Sequence, residues 1–193
     1  MQIEDVNIIL ASASPRRKDI LNQVGIDFQV EVSDAEEIVS CDIPSEVVME
    51  LSDTKAGKIA KNHFEDLIIG ADTVVAVDNK ILGKAADDEE AFAMIKSLQG
   101  GVHSVFSGVT IKYRGRSCSF FEETKVYVYE MSDSDIRSYI DSKDGSGKAG
   151  NYAIQGGFAR YIYRIEGDYN NVVGLPVARL MREINNMINS MEE

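Results

Sequence analysis

No apolar run in this 193-residue chain approaches the ~18 positions that a membrane-spanning helix needs, and acidic Glu4 and Asp5 precede only a few apolar residues at the N-terminus. Neither a membrane span nor a signal peptide is expected. Cysteine is scarce: Cys41 and Cys118 stand far apart with no partner at metal-ligand spacing, which predicts reduced thiols in a cytoplasmic compartment. Histidine is equally scarce. His63 and His103 have neither a second histidine nor a cysteine at ligand spacing, and no Ser/His/Asp arrangement can be argued. Positive charge is also short, 20 basic residues against 32 acidic, and the formal net charge of −12 disfavours nonspecific attraction to nucleic acid or to an anionic membrane. Any polyanionic ligand must therefore meet a local basic pocket. With 44% hydrophobic and 27% charged residues the chain has the composition of a folded enzyme or binding domain. Its length suits one domain, with two lobes around a cleft as the variant reading.

The three prolines fall where helices are expected to open. Ile8, Ile9 and Leu10 form a short buried strand, and Ser14 followed by Pro15 reads as N-cap and first helical position of a helix ending near Gly25. Phe28, Val30 and Val32 alternate with polar residues as a half-exposed strand. Pro44 opens an amphipathic helix to about Asn62, residues 67–77 form a strand, and Ile81 and Leu82 a short one after a turn. The segment 87–98 has acids in its first turn, Lys96 in its last and Gly100-Gly101 behind it, so it is a helix. Residues 102–113 and 117–129 make a long hairpin, Ser132 with Asp135 caps a helix to about Ser142, and 159–165 alternates as a strand. In a last helix from Pro176, Val177, Leu180, Met181, Ile184, Met187 and Ile188 form one stripe, for the core or a dimer surface. The pattern predicts an α/β domain with a mixed, twisted sheet flanked by helices and a cleft at the strand ends.

Two stretches break local rules in ways that suggest chemistry. Arg16, Arg17 and Lys18 occupy the first turn of the Pro15 helix, where the macrodipole is already positive and favours acids. Three cations there call for an anion, and with Ser12, Ser14 and the free backbone N–H groups they would make a phosphate site; the alternative places both guanidiniums in solvent. The second stretch is the strand 67–77, whose middle holds Gly70 and Asp72. A carboxylate between Ile68, Ile69, Val74 and Val75 must reach a cleft or be paired, as catalyst or as structural acid. Glu36 and Glu37 offer oxygens to a hard cation, or form a solvated acidic loop. Lys55 and Lys84 could neutralise phosphate if they converge. The glycine-rich stretch 144–150 lacks the Gly-x-x-x-x-Gly-Lys-Ser/Thr spacing, so it is no phosphate loop.

Five collinear motifs carry a resemblance over almost the whole chain: leucine-alanine-serine-alanine-serine-proline-arginine-arginine at 10–17, glycine-alanine-aspartate-threonine at 70–73, leucine-glycine-lysine at 82–84, tyrosine-alanine-isoleucine-glutamine-glycine at 152–156, and asparagine-valine-valine-glycine-leucine-proline at 171–176. The sequence resembles the Maf (septum formation inhibitor-like) nucleoside triphosphate pyrophosphatases, in the branch acting on dTTP and UTP, with a Maf/inosine-triphosphatase-like fold. The resemblance implies hydrolysis between the α and β phosphates to the monophosphate and pyrophosphate, with a divalent metal, Mg²⁺ or Mn²⁺, and a homodimer. It implies Asp72 as proton acceptor, Arg16, Thr73 and Gln155 as the residues that set base choice, Ser12, Arg17, Lys55 and Lys84 for the phosphates, and Glu37 with Asp72 for the metal. Gln155 offers both an acceptor and donors, which suits a pyrimidine edge. Two competing implications stay open, a nucleotide-binding regulator of cell division with little turnover and an inosine-type purine triphosphate repair pyrophosphatase. The chain departs from the family pattern at Ala85, where proline is usual, and at Gly147, where an acid is usual.

Overall fold

In the computed structural model of the protein, residues 3–191 are described. The first strand, β1 (Ile8–Leu10), is buried at all three positions. It pairs in parallel with β2 (Gln29–Val30) on one side and β3 (Leu67–Val77) on the other, which explains its uninterrupted apolar run. A short strand, β4 (Lys80–Leu82), returns antiparallel along β3, and the hairpin of β5 (Val102–Tyr113) and β6 (Arg116–Val128) continues the sheet to β7 (Ile162–Glu166). The order is β2-β1-β3-β5-β6-β7, with β4 attached to β3. The expected mixed sheet flanked by helices is the observed one.

The cleft originates in how β3 is paired. One edge of this 11-residue strand is laddered to β5 from Ile68 to Ala76. The other edge is shared, with β1 on Leu67, Ile68 and Ile69 and β4 on Val75, Ala76 and Val77. Between them residues 70–74 have no strand partner on that edge among the described residues, and Asp72 and Thr73 lie in that gap. Successive side chains leave a strand on opposite faces, so the gap exposes one residue to each side of the sheet.

Helix α1 (Pro15–Gln23) follows β1, and α2 (Pro44–Ala60) covers one face. That face packs Val47, Val48 and Leu51 of α2 on Val74, Ala76 and Phe106. α2 lies directly on the backbone at two glycines. A Cβ on Gly70 would stand 2.3 Å from the Ser52 carbonyl, and one on Gly108 the same distance from the Val48 carbonyl. Gly70 thus sits in mid-strand because a helix occupies its side-chain space. The opposite face carries the larger core, formed with α1, α3 (Asp88–Leu98), α4 (Asp133–Asp141), α5 (Tyr169–Val173) and α6 (Val177–Asn189). The last-helix stripe belongs to this core, where Val177, Leu180, Ile184, Met187 and Ile188 are buried.

The capping box at Ser132 and Asp135 forms as read. Three local expectations differ, and one helix, α5, was not foreseen. Ser14 stands at the N-cap of α1 without a side-chain cap bond; its own N–H instead donates to Ser12 Oγ at 3.3 Å. β2 keeps only two exposed residues, because the chain beyond Glu31 leaves the sheet and is tied to α2 by Lys58–Asp34 and Lys55–Glu37 ion pairs. β7 starts three residues late, since residues 157–161 form a 3-10 turn that buries Phe158 completely. The five-residue α5 is too short for periodicity to reveal it. Both cysteines are free thiols. No helix among the described residues is long and apolar enough to cross a membrane.

Candidate active site

Lys55 is the hub of one wall. Gly70 lets α2 approach until Lys55, between Ser52 and Ala56 of the contacting turn, reaches the even-numbered face of β3. Its Nζ lies 2.6 Å from Asp72 Oδ1 and 2.7 Å from Glu37 Oε1. Asp72 is thus paired and mostly buried, while Glu37 comes from the exposed strap after β2. The Lys55 ammonium holds the Glu37 carboxyl below its ordinary pKa, helped by the charges of Lys84 and Arg17.

Arg17 is the hub of the other face. Its guanidinium is buried and donates from Nε to the Gly174 carbonyl at 2.8 Å, from Nη1 to Ser12 Oγ at 2.8 Å and from Nη2 to Thr73 Oγ1 at 3.1 Å. One side chain therefore joins the turn after β1, the open stretch of β3 and the end of α5. Three of the five N–H groups of a guanidinium are used and two remain for an anion. Thr73 Oγ1 also meets Ser107 Oγ at 2.8 Å, and Ser107 Oγ donates to the Asn171 carbonyl at 2.9 Å. Burial lowers the Arg17 pKa, while the Asp72 charge opposes that shift. Arg16 is half-buried, with Nε donating to the Val173 carbonyl at 3.3 Å. Neither guanidinium is free in solvent.

The third wall is the glycine-rich stretch from Asp144 to Gly157. Gly150 adopts φ +64° and donates its N–H to the Gly83 carbonyl at 3.1 Å, and a Cβ there would meet Val75 at 3.0 Å. This fastens the stretch to the Gly83-Lys84 loop, and both Lys84 and Gln155 line the cleft. The open cleft has a volume of about 950 Å³, and Ser12, Arg16, Arg17, Glu37, Lys55, Asp72, Thr73, Lys84 and Gln155 all line it. A cavity of this size holds a nucleotide-sized ligand, and its charged residues suit an anionic one.

A family model described as Maf-like protein matches residues 7–187. The chain belongs to the Maf family. A relative in Lachnoclostridium phytofermentans, named dTTP/UTP pyrophosphatase, is 49% identical over 183 residues, covering 92% of this chain and 93% of its own. A relative of the same name in Thermoanaerobacter sp. is 49% identical over 182 residues, 91% of this chain and 93% of its own. One in Bacillus cereus is 42% identical over 178 residues, 92% and 93% of the two chains. Among solved structures, the Staphylococcus aureus Ham1 protein is similar at a TM-score of 0.47 and 16% identity over 63% of this chain and 71% of that one. That likeness is too loose to carry an argument.

In this Maf chain the sequence-predicted residues converge on one cleft from six separate segments. Sequence reasoning missed the residues that hold them. Ser107 and Asn171 are buried polar residues behind Thr73, and Asn171 Nδ2 donates to the Val105 carbonyl and Thr124 Oγ1, both at 3.0 Å. The asparagine-valine-valine-glycine motif was visible in the sequence, but nothing local showed that its backbone carbonyls receive Arg16 and Arg17. Tyr139 and Asp144, which grip the Gln155 turn, were also missed; the glycine pair at 156–157 was the signal that something packs closely there.

Proposed function

We propose that this protein is a nucleoside triphosphate pyrophosphatase that hydrolyses dTTP and UTP to the monophosphate and pyrophosphate. The observation that carries the reading is the convergence of Lys55, Lys84, Arg16 and Arg17 with one mostly buried carboxylate, Asp72, in a cleft of a net acidic molecule. Relatives named for this activity and aligned along nearly the full chain support it. Phosphoryl transfer depends on positioning and charge neutralisation. Lys55, Lys84 and the remaining N–H groups of Arg17 neutralise the triphosphate, with Ser12 beside Arg17 ordering it. Asp72 accepts a proton from the attacking water as the new P–O bond forms, and the bridging oxygen departs with pyrophosphate.

The carboxylates present fit a divalent cation. Asp72 Oδ1 and Glu37 Oε1 both rest on Lys55 Nζ, so a cation would be held by the second oxygens of these carboxylates, and Mg²⁺ is usually bound by one or two carboxylates plus phosphate oxygens. No group of three or more ligating side chains occurs among the described residues, so phosphate oxygens would complete the shell. Such a cation supplies charge neutralisation at the phosphates.

The test is pyrophosphate release from dTTP, UTP, CTP, ITP and 7-methyl-GTP with Mg²⁺ or Mn²⁺, together with Asp72→Asn. Turnover of dTTP and UTP ahead of the others, reduced about 10²- to 10⁴-fold by the substitution, is expected for loss of a general base. Nucleotide binding without turnover, or preference for ITP, would sink the reading.

A further inference from the structure

A glutamine amide does not choose between pyrimidines by itself. Thymine and uracil present a carbonyl acceptor where cytosine presents an amino donor, and a freely turning Gln155 offers either an acceptor or a donor. Discrimination therefore depends on where that amide is placed against the base, and the Gln155 backbone sets the place. The structure shows how this is done. Residues 153–156 form a turn closed by the Gly156 N–H donating to the Ala153 carbonyl at 3.2 Å. The amides two residues to either side of Gln155 are gripped from behind by a pair of side chains. The Ala153 N–H donates to the Tyr139 hydroxyl at 3.1 Å, that hydroxyl donates to Asp144 Oδ2 at 3.4 Å, and the Gly157 N–H donates to the same oxygen at 2.8 Å. The carboxylate sits so close that a Cβ on Gly156 would be 2.0 Å from it, although the φ of −114° there is open to any residue. Glycine is required by the contact. Tyr139 is buried at the end of α4 against Phe158, with ring centroids 5.1 Å apart, so the brace stands on the core.

We propose that Asp144, with Tyr139, is the positioning residue for base recognition, fixing the Gln155 turn from outside the cleft. The Asp144 charge also bears on Arg16, a donor-only group on the same side. This rests on the nucleotide reading above and goes beyond it, because neither side chain needs to touch substrate.

The experiment compares Asp144→Ala, Asp144→Asn and Tyr139→Phe for kcat and KM on dTTP and CTP, with amide hydrogen exchange at Ala153 and Gly157. In Asp144→Ala the dTTP over CTP ratio of kcat/KM is expected to fall about tenfold, the value of one positioned hydrogen bond, mainly through KM for dTTP. Exchange at Gly157 should rise while the β3–β5 ladder stays protected. Tyr139→Phe should move the ratio the same way and raise exchange at Ala153. Asp144→Asn, whose amide oxygen still accepts from Gly157, should keep most of the ratio. A ratio within twofold of wild type in Asp144→Ala, an equal loss on both nucleotides, or an asparagine variant as defective as alanine would overturn the proposal. A wild-type protein that ranks CTP with dTTP would sink the underlying reading and this role with it, and that result is seen before any variant is made.

Discussion

Substituting Gly70 with alanine tests whether the Lys55–Asp72 contact depends on the close approach of α2 to β3. The new Cβ would stand 2.3 Å from the Ser52 carbonyl and 2.8 Å from the Ala56 backbone N, groups that cannot rotate away. Reaching an ordinary contact of ~3.5 Å requires a displacement of roughly 1 Å. Overpacking of this kind costs about 2–3 kcal/mol, which at this chain length lowers Tm by roughly 5–10 °C. The displaced turn contains Lys55, so its bonds of 2.6 and 2.7 Å to Asp72 and Glu37 must lengthen. A 1 Å misplacement of such a group can reduce turnover roughly 10²-fold. The assay pairs thermal melting by circular dichroism with pyrophosphate release at a temperature where both proteins are folded. Gly57→Ala is the control on the same helix, because a Cβ there meets nothing closer than Lys112 Cε at 3.6 Å. It should stabilise α2 by about 1 kcal/mol, the helix preference of alanine over glycine. The reasoning is refuted if Gly70→Ala melts and turns over like wild type, or if Gly57→Ala does equal harm.

Arg17→Lys replaces a three-way fork with a point charge that cannot hold Ser12, Thr73 and Gly174 together. It should lower stability by about 2–4 kcal/mol, read as a shift in urea midpoint at constant slope; a loss under ~0.5 kcal/mol would remove Arg17 as the clamp. His103 is buried with Nε2 2.8 Å from the Tyr152 hydroxyl, and burial holds its pKa down at about 4. Because the folded value lies below the ordinary 6.5, the stability tied to the neutral ring is complete above pH 6.5 and is lost as pH falls towards 4, by on the order of 3 kcal/mol. The destabilisation caused by His103→Gln should therefore shrink between pH 7.5 and 4.5, and an equal penalty at both pH values would contradict the assignment.

The sequence made β3 legible to the residue, because a long apolar strand interrupted by Gly70 and Asp72 states both its burial and its exception. The capping box of α4 was equally plain, since its signal lies within four residues. What was hidden depends on distant contacts. Arg17 reads locally as a cation awaiting phosphate, yet its Nε meets a carbonyl 157 positions away. The 157–161 turn replaces the first part of an apparent strand because Phe158 finds a cavity between Tyr139 and Tyr152. No periodicity in its own segment encodes that. Gln155 was recognisable from its motif, but the brace behind it joins α4 to the turn through side chains that look like an ordinary tyrosine and loop aspartate.

The gap on one edge of β3 separates two kinds of support within a single cleft. Asp72 and Thr73 ride on a strand whose other edge is laddered without a break from Ile68 to Ala76, so both share the rigidity of a largely buried strand. Gln155 hangs on a loop fastened at Gly83 and at the Asp144–Tyr139 brace. The two ends of the cleft, Asp72 and Gln155, thus stand on foundations that can drift independently. Sequence change in 144–157 can reshape the Gln155 end of the cleft while the β3 spine beneath Asp72 and Thr73 stays fixed.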